Sequence, residues 1–248
     1  MKLRFFCMFC IAGFLLISCS ASTKVRLGKY SCTGELNKAV ELYKDGKYSR
    51  AIPVLEEAKM QCGGSQIIDS VLYYLGMCNM GQKKYFEARS VFQDLVRDFP
   101  NSPFSEEAQF RIGLSVFQES NPYDRDQEET KEAVRLLRDF LAYYPNNVMA
   151  DSAAKYLNEA MDKLAKKEFD NAFFYEKNKE PEAAVVYYKT FIREYPDSKY
   201  TDQAQLNLCE LLIKLDRKNE AKEILKKLEN SDKSNTVTKA KQLMMQIK

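Results

Sequence analysis

Three fourteen-residue phrases of this chain are nearly one phrase: LVRDFPNSPFSEEA from Leu95, FLAYYPNNVMADSA from Phe140 and FIREYPDSKYTDQA from Phe191. Each lies inside a longer pattern that opens on a small residue, Ala88, Ala133 or Ala184. Large side chains follow four, seven and eleven positions later: Phe92, Leu95 and Phe99; Leu137, Phe140 and Tyr144; Tyr188, Phe191 and Tyr195. Steps of 4, 3 and 4 put all of them on one stripe of a helix, whereas a strand would alternate. Proline comes next each time (Pro100, Pro145, Pro196), and it disfavours helical geometry before it and lacks the next N–H, so each helix stops there. Ser102 and Ser198 can accept from the free amides of a following helix, Pro103 suits its first position, and Glu106, Glu107 and Asp202 favour its positive end. Each phrase is therefore a helix, a corner and a second helix, with small Ala108, Ala153 and Ala204 eight residues past the proline.

Counting back twelve from the opening residue finds Gly76, Ala172 and Cys209, again small or compact. A further copy runs through Ala39, Ala51, Leu55, Ala58 and Cys62 and turns at Gly63-Gly64; a last one runs from Cys209 through Ala221, Leu225 and Leu228 and is expected to fade into a polar tail. The pattern resembles the tetratricopeptide repeat, whose period is 34 residues. The expected fold is all-α, a tetratricopeptide-repeat solenoid of about five helical hairpins. The opening alanines (51, 88, 133, 184, 221) lie 37, 45, 51 and 37 apart, so the copies are lengthened. The turn-rich stretch ESNPYDRDQE, from Glu119 to Glu128, takes up the first excess. DSAAKYLNEAMDKLAKKEFDNAFFYEK, which has neither Pro nor Gly, takes up the second as one long helix.

The N-terminus carries a separate signal. Lys2 and Arg4 precede the apolar run FFCMFCIAGFLLIS, too short for a span of roughly 20 residues. It reads as a signal peptide over 1–18. Leu16-Ile17-Ser18-Cys19 resembles a bacterial lipoprotein box, which implies that Cys19 is acylated and becomes the first residue of a lipidated linker over 19–31. Several acyl chains hold a protein to a membrane without spanning it.

With Lys2 and Arg4 set aside, 36 of the 38 basic residues face 35 acidic ones, so no bulk field draws nucleic acid. The chain has no histidine. That removes the usual general base, the commonest metal ligand and every Ser-His or Cys-His arrangement. Neither a Gly-rich phosphate loop nor a CxxC pair occurs past residue 18. The expectation is a non-enzyme with no cofactor and no metal site. Cys32 opens the first helix and Cys62 closes the second, ends that meet in an antiparallel hairpin. A disulfide between them is expected, with two free thiols as the alternative. Cys78 and Cys209 fall on interior stripes.

Repeats of this kind cannot bury their apolar stripes singly, so they stack and leave a groove along the first helices. Tyr43, Lys44, Tyr73, Met77 and Met80 are the candidate lining of a peptide-binding groove there, with the core between repeats as their alternative place. The region LAKKEFDNAFFYEKNKEPEAAVVYYKTFIREYPDS, residues 164–198, looks like the most recognisable part of the BamD-type lipoproteins of outer-membrane β-barrel assembly. Glu168, Ala172, Phe174, Tyr175, Ala184, Val185, Tyr188 and Pro196 carry the likeness. It implies a lipid anchor on the periplasmic face of the outer membrane. It also implies a C-terminal half, 148–235, that binds the periplasmic repeats of the central barrel-inserting protein, with Glu168, Phe174, Tyr175 and Tyr188 as candidate contacts. The N-terminal repeats, 32–147, would receive unfolded outer-membrane protein segments, and 236–248 forms a helix or tail. The family usually has a Tyr-Pro corner where this chain has Gly63-Gly64. The competing function is a periplasmic repeat lipoprotein that coordinates cell division or envelope polysaccharide assembly. Replacing Cys19→Ser is expected to abolish incorporation of labelled palmitate and move the protein from the membrane to the soluble fraction, read by fractionation and autoradiography.

Overall fold

The computed structural model describes residues 31–231 and 233–247, so Cys19, the expected signal peptide and the expected linker up to residue 30 lie outside the described residues. Eleven helices and no strand occur among the described residues. They pair as α1 (Cys32–Lys44) with α2 (Tyr48–Gln61), α3 (Ile68–Gly81) with α4 (Tyr85–Asp98), and α5 (Ser105–Glu119) with α6 (Glu128–Tyr143). Then come α7 (Ala150–Lys177) with α8 (Pro181–Glu194), α9 (Thr201–Lys214) with α10 (Lys218–Leu228), and a last helix, α11 (Ser234–Gln246).

Each helix packs chiefly on its chain neighbours, and the longer-range contacts join α1 with α3, α5 with α7 and α9 with α11. The buried side chains form five successive clusters along the chain. This is a solenoid of stacked hairpins, whose stability is a run of nearest-neighbour interfaces.

Two junctions are repeated almost atom for atom. The first helix of four hairpins ends with a left-handed residue, Gly46 (φ 70°), Lys83 (φ 59°), Lys179 (φ 62°) or Asp216 (φ 57°). The next N–H reaches back five residues: Lys47 to the Leu42 carbonyl (2.8 Å), Lys84 to Asn79 (2.9 Å), Glu180 to Tyr175 (3.0 Å) and Arg217 to Leu212 (2.8 Å). This is a Schellman end, which satisfies carbonyls the helix leaves open. The third hairpin differs because residues 120–127 intervene. That segment is held by α7: Lys163 Nζ donates to the Ser120 hydroxyl (2.7 Å) and Lys167 Nζ to the Arg125 carbonyl (2.6 Å).

At the proline corners, the aromatic N–H of Phe99, Tyr144 or Tyr195 bonds back to the carbonyl of Leu95, Phe140 or Phe191. Ser102 and Ser198 then accept from the N–H of Phe104 (3.2 Å) and Tyr200 (3.3 Å). Asn147 does the same for Met149 in the middle copy (2.8 Å), the Asx counterpart of a serine turn. Pro103 does not begin α5, which starts at Ser105: the Ser105 N–H first closes a turn onto the Ser102 carbonyl (3.0 Å), shifting the helix start two residues on. The last copy also does not fade. Thr236, Ala240 and Leu243 of α11 are buried against the preceding pair, so the stack ends under an amphipathic lid.

At the open end, Cys32 and Cys62 form a disulfide with Cα atoms 5.9 Å apart. Closing a loop of about 30 residues stabilises by roughly 3–4 kcal/mol in the chain-entropy picture. Inside the second hairpin, a Cβ on Gly76 would stand 2.5 Å from the fully buried Phe92 ring. At Gly113 the nearest atom is a terminal carbon of Leu137 at 3.2 Å. Gly76→Ala is therefore expected to cost about 2 kcal/mol net of its gain in helix propensity, while Gly113→Ala is near neutral; thermal denaturation of the two variants separates them.

Candidate functional site

The first surface follows the first helices of the N-terminal hairpins. Tyr43 of α1 meets Tyr74 edge-on with ring centres 5.4 Å apart, Tyr74 meets Tyr73 at 5.3 Å, and Tyr73 stacks on Phe104 at 4.4 Å. The row is fastened by polar groups at one end. The Tyr73 hydroxyl donates to Glu107 (3.0 Å), and Arg111 holds the same carboxylate with Nε (3.0 Å) and Nη2 (2.6 Å). Burial first, then the adjacent Glu107 charge and hydrogen bond, push the Tyr73 phenol far above its usual value, so it stays a neutral donor. Burial also raises Tyr43.

The five candidate lining residues divide. Tyr43 and Tyr73 stand together in the aromatic row, joined through Tyr74, which lies outside the repeat spacing. Met77 is half-buried against the cluster around Phe92. Met80 packs between two clusters and its sulfur accepts from the Ser115 hydroxyl (3.1 Å), so it belongs to the joint between the second and third hairpins. Lys44 lies apart, exposed and paired with Glu41 at 3.3 Å. Farther along, Tyr156 of α7 packs onto α5 of the third hairpin, with its ring 6.4 Å from Phe110 and 5.9 Å from Phe117.

The second surface is carried by the end of α7 and by α8. Phe174 is 59% exposed, and Tyr175 stacks on Tyr187 at 4.4 Å with its ring edge against Phe174 at 5.7 Å. Phe173, Val186 and Tyr187 are exposed too, at 39%, 62% and 36%, and large apolar side chains gathered in the open mark contact surfaces more often than chance. Glu168 is half-buried and accepts from Asn171 (3.3 Å). Tyr188 is a correction to the sequence reading. It is fully buried, its hydroxyl donates to Glu176 (2.8 Å) and accepts from Asn207 (2.8 Å), and no partner can touch it. The reason is its register, since Ala184, Tyr188 and Phe191 form the inward stripe of α8. The outward signal is the adjacent pair Val186-Tyr187, off that stripe.

Between the two surfaces lies a cavity of about 580 Å³ at the junction of α6, α7 and the Pro196 corner, where Lys199 pairs with Asp162 at 3.0 Å. Among the described residues no group of acidic, cysteine or histidine side chains is arranged to hold a metal ion, and no helix is long and apolar enough to cross a membrane. Cys78 and Cys209 are free and buried, and burial pushes their thiols up to about 11 and about 12. A raised value keeps a thiol protonated until higher pH. At pH 8 both are therefore expected to resist a thiol reagent in the native protein, and denaturation without reductant exposes these two but not Cys32 or Cys62.

Residues 33–228 match the family described as YfiO, outer membrane lipoprotein. An outer membrane protein assembly factor BamD from Caulobacter vibrioides is 25% identical over 177 residues, covering 71% of this chain. The match spans 58% of that relative's length. The BamD of Haemophilus influenzae is 24% identical over 210 residues, covering 81% of this chain and 79% of the relative. Among solved structures, a thermophilic TPR protein of Thermus thermophilus aligns over 87% of this chain and all of its own, at 17% identity and a TM-score of 0.39. The family match takes in all five hairpins, from the first turn of α1 to the last residue of α10, and with it the aromatic row, the α7–α8 patch and both repeated junctions: the chain belongs to the YfiO outer membrane lipoprotein family.

Proposed function

We propose that this protein is a non-catalytic scaffold in the assembly of outer-membrane β-barrel proteins, held by lipid on Cys19 to the periplasmic face of the outer membrane. Residues 148–235 bind the central barrel-inserting protein, and residues 32–147 receive segments of unfolded outer-membrane proteins. One observation carries the reading. The α7–α8 hairpin exposes Phe173, Phe174, Val186 and Tyr187 while Tyr188, Glu176 and Asn207 lock the same hairpin from within. An aromatic patch on a rigid support fits a lasting protein contact, because binding then orders little. The N-terminal aromatic row, with neutral Tyr73 and the Glu107–Arg111 pair, suits varied apolar segments in extended form. The names of the Caulobacter and Haemophilus relatives, both assembly factors, support the same role.

The two surfaces can be separated by substitution in the full-length lipoprotein. Phe174→Asp with Tyr187→Ala is expected to lose co-purification of the central barrel protein from detergent-solubilised outer membranes. Hot-spot aromatics typically carry about 2 kcal/mol, roughly thirtyfold in affinity. Tyr73→Ala is expected to retain that partner and to weaken photo-crosslinking to unfolded barrel segments. Retention of the barrel protein by the Phe174 and Tyr187 variant, with helix content intact by circular dichroism, would overturn the assignment.

A further inference from the structure

The corner that closes the first hairpin lacks what closes the later ones. Eleven residues after the opening alanine, the next three copies place Phe99, Tyr144 and Tyr195, each followed by proline, whereas the first copy places Cys62, followed by Gly63. Three positions further on, Ser102, Asn147 and Ser198 each accept a backbone N–H, at 3.2, 2.8 and 3.3 Å. Ser65 is their equivalent, yet its hydroxyl oxygen is buried with no hydrogen-bond partner among the described residues. A buried polar atom left unpaired weakens the turn that holds it. The backbone of the corner is unchanged, since the Cys62 N–H still reaches the Ala58 carbonyl at 2.9 Å. What has changed is the fastening: aromatic, proline and serine cap are replaced by a covalent bond from Cys62 to Cys32, the first residue of α1.

α1 is also the most lightly held helix. It buries Leu36 and Ala39, whereas every other described helix buries three side chains or more. It packs on α2 and α3, with no hairpin before it among the described residues. Its ion pairs, Glu35–Lys38 and Glu41–Lys44, join α1 only to itself. Yet α1 supplies Tyr43, one end of the row that continues through Tyr74 and Tyr73 to Phe104.

We propose that the Cys32–Cys62 bond is a redox latch on this aromatic row: closed, it keeps α1 and Tyr43 in place; open, it lets α1 leave the stack while the remaining helices stay folded. Closing requires a two-electron oxidant, the disulfide form of a CxxC protein. The two thiols here lose two protons and two electrons, one S–S bond forms, and the oxidant's own S–S bond becomes a dithiol. Opening is the reverse exchange. A thiolate of the dithiol form attacks the Cys32 sulfur, because Cys62 is only 2% exposed while Cys32 is partly open. Cys62 then leaves as a thiolate and takes a proton, and the second thiol of the reductant displaces Cys32 from the mixed disulfide. Cys78 and Cys209, both buried, take no part. The consequence for clients rests on the role proposed for the row; the latch itself does not.

The test is hydrogen–deuterium exchange of the full chain in detergent, read by mass spectrometry, with the bond intact and after reduction by a phosphine. Amides of α1 are expected to exchange about hundredfold faster in the reduced protein, with those of α3–α10 nearly unchanged, and oxidised glutathione is expected to restore the protection. Cys32→Ser with Cys62→Ser is expected to match the reduced protein and to ignore the phosphine; should that variant fail to fold, the reversible reduction of the native chain still decides. Equal exchange of α1 in the two forms overturns the latch, and so does loosening of α1 together with α3–α6, which would make the bond a general support. Loosening of α1 alone, with photo-crosslinking to unfolded barrel segments undiminished, supports the latch and overturns instead the client role of the row.

Discussion

Everything in this solenoid depends on how closely the two helices of a hairpin approach. In the second hairpin the Phe92 ring lies where a side chain on Gly76 would have to be. Elsewhere Ala172 and Cys209 take the equivalent place, both fully buried. Small residues at that crossing let aromatic and leucine side chains of the second helix enter the space between hairpins, which is how each interface is filled. The arrangement fixes both which side of each helix is inward and which side is left for partners.

The α7–α8 hairpin shows this division most clearly. Tyr187 and Tyr188 are chain neighbours with opposite fates. One stacks in the open on Tyr175 and the other is locked to Glu176 and Asn207. The buried network orients α7, α8 and α9 together, and the exposed rings inherit that rigidity. Lys163 and Lys167 extend the same support to the 120–127 segment, which they fasten to α7 rather than leaving it to be ordered by its own few hydrogen bonds.

Much of this is legible in the sequence. The 4-3-4 spacing and the following proline identify three hairpins and their inward stripes, the same spacing without proline extends the count to five, and a stretch without Pro or Gly gives the long α7, because periodicity reports burial directly. Ser102 and Ser198 are readable as turn acceptors, and Asn147, likewise two residues past its proline, offers the same signal once Asn is counted with serine as a turn former. Pro103 points to a helix start that the structure places at Ser105, for a similar reason: a proline compatible with a first helical position can equally sit in the turn before it. The site is less legible. Tyr188 resembles a contact residue by family likeness although its spacing already puts it inside, and Met80 and Lys44 show that a position facing a groove in an ideal repeat can be claimed by a neighbouring hairpin or by solvent. Tyr187 is marked as outward by its place off the α8 stripe, but Tyr74 and Phe173 carry no spacing signal, since exposure of an aromatic depends on what the adjacent hairpin leaves uncovered.

A stack held only by neighbours melts from its extremities, where each terminal unit has lost one of its two supports. Here the two extremities are closed by different chemistry: a covalent cross-link between Cys32 and Cys62 at one, and the α11 lid with Thr236, Ala240 and Leu243 at the other. Unzipping inward is thereby opposed at both extremities, by a bond that must be reduced at one and by an apolar face that must be bared to water at the other.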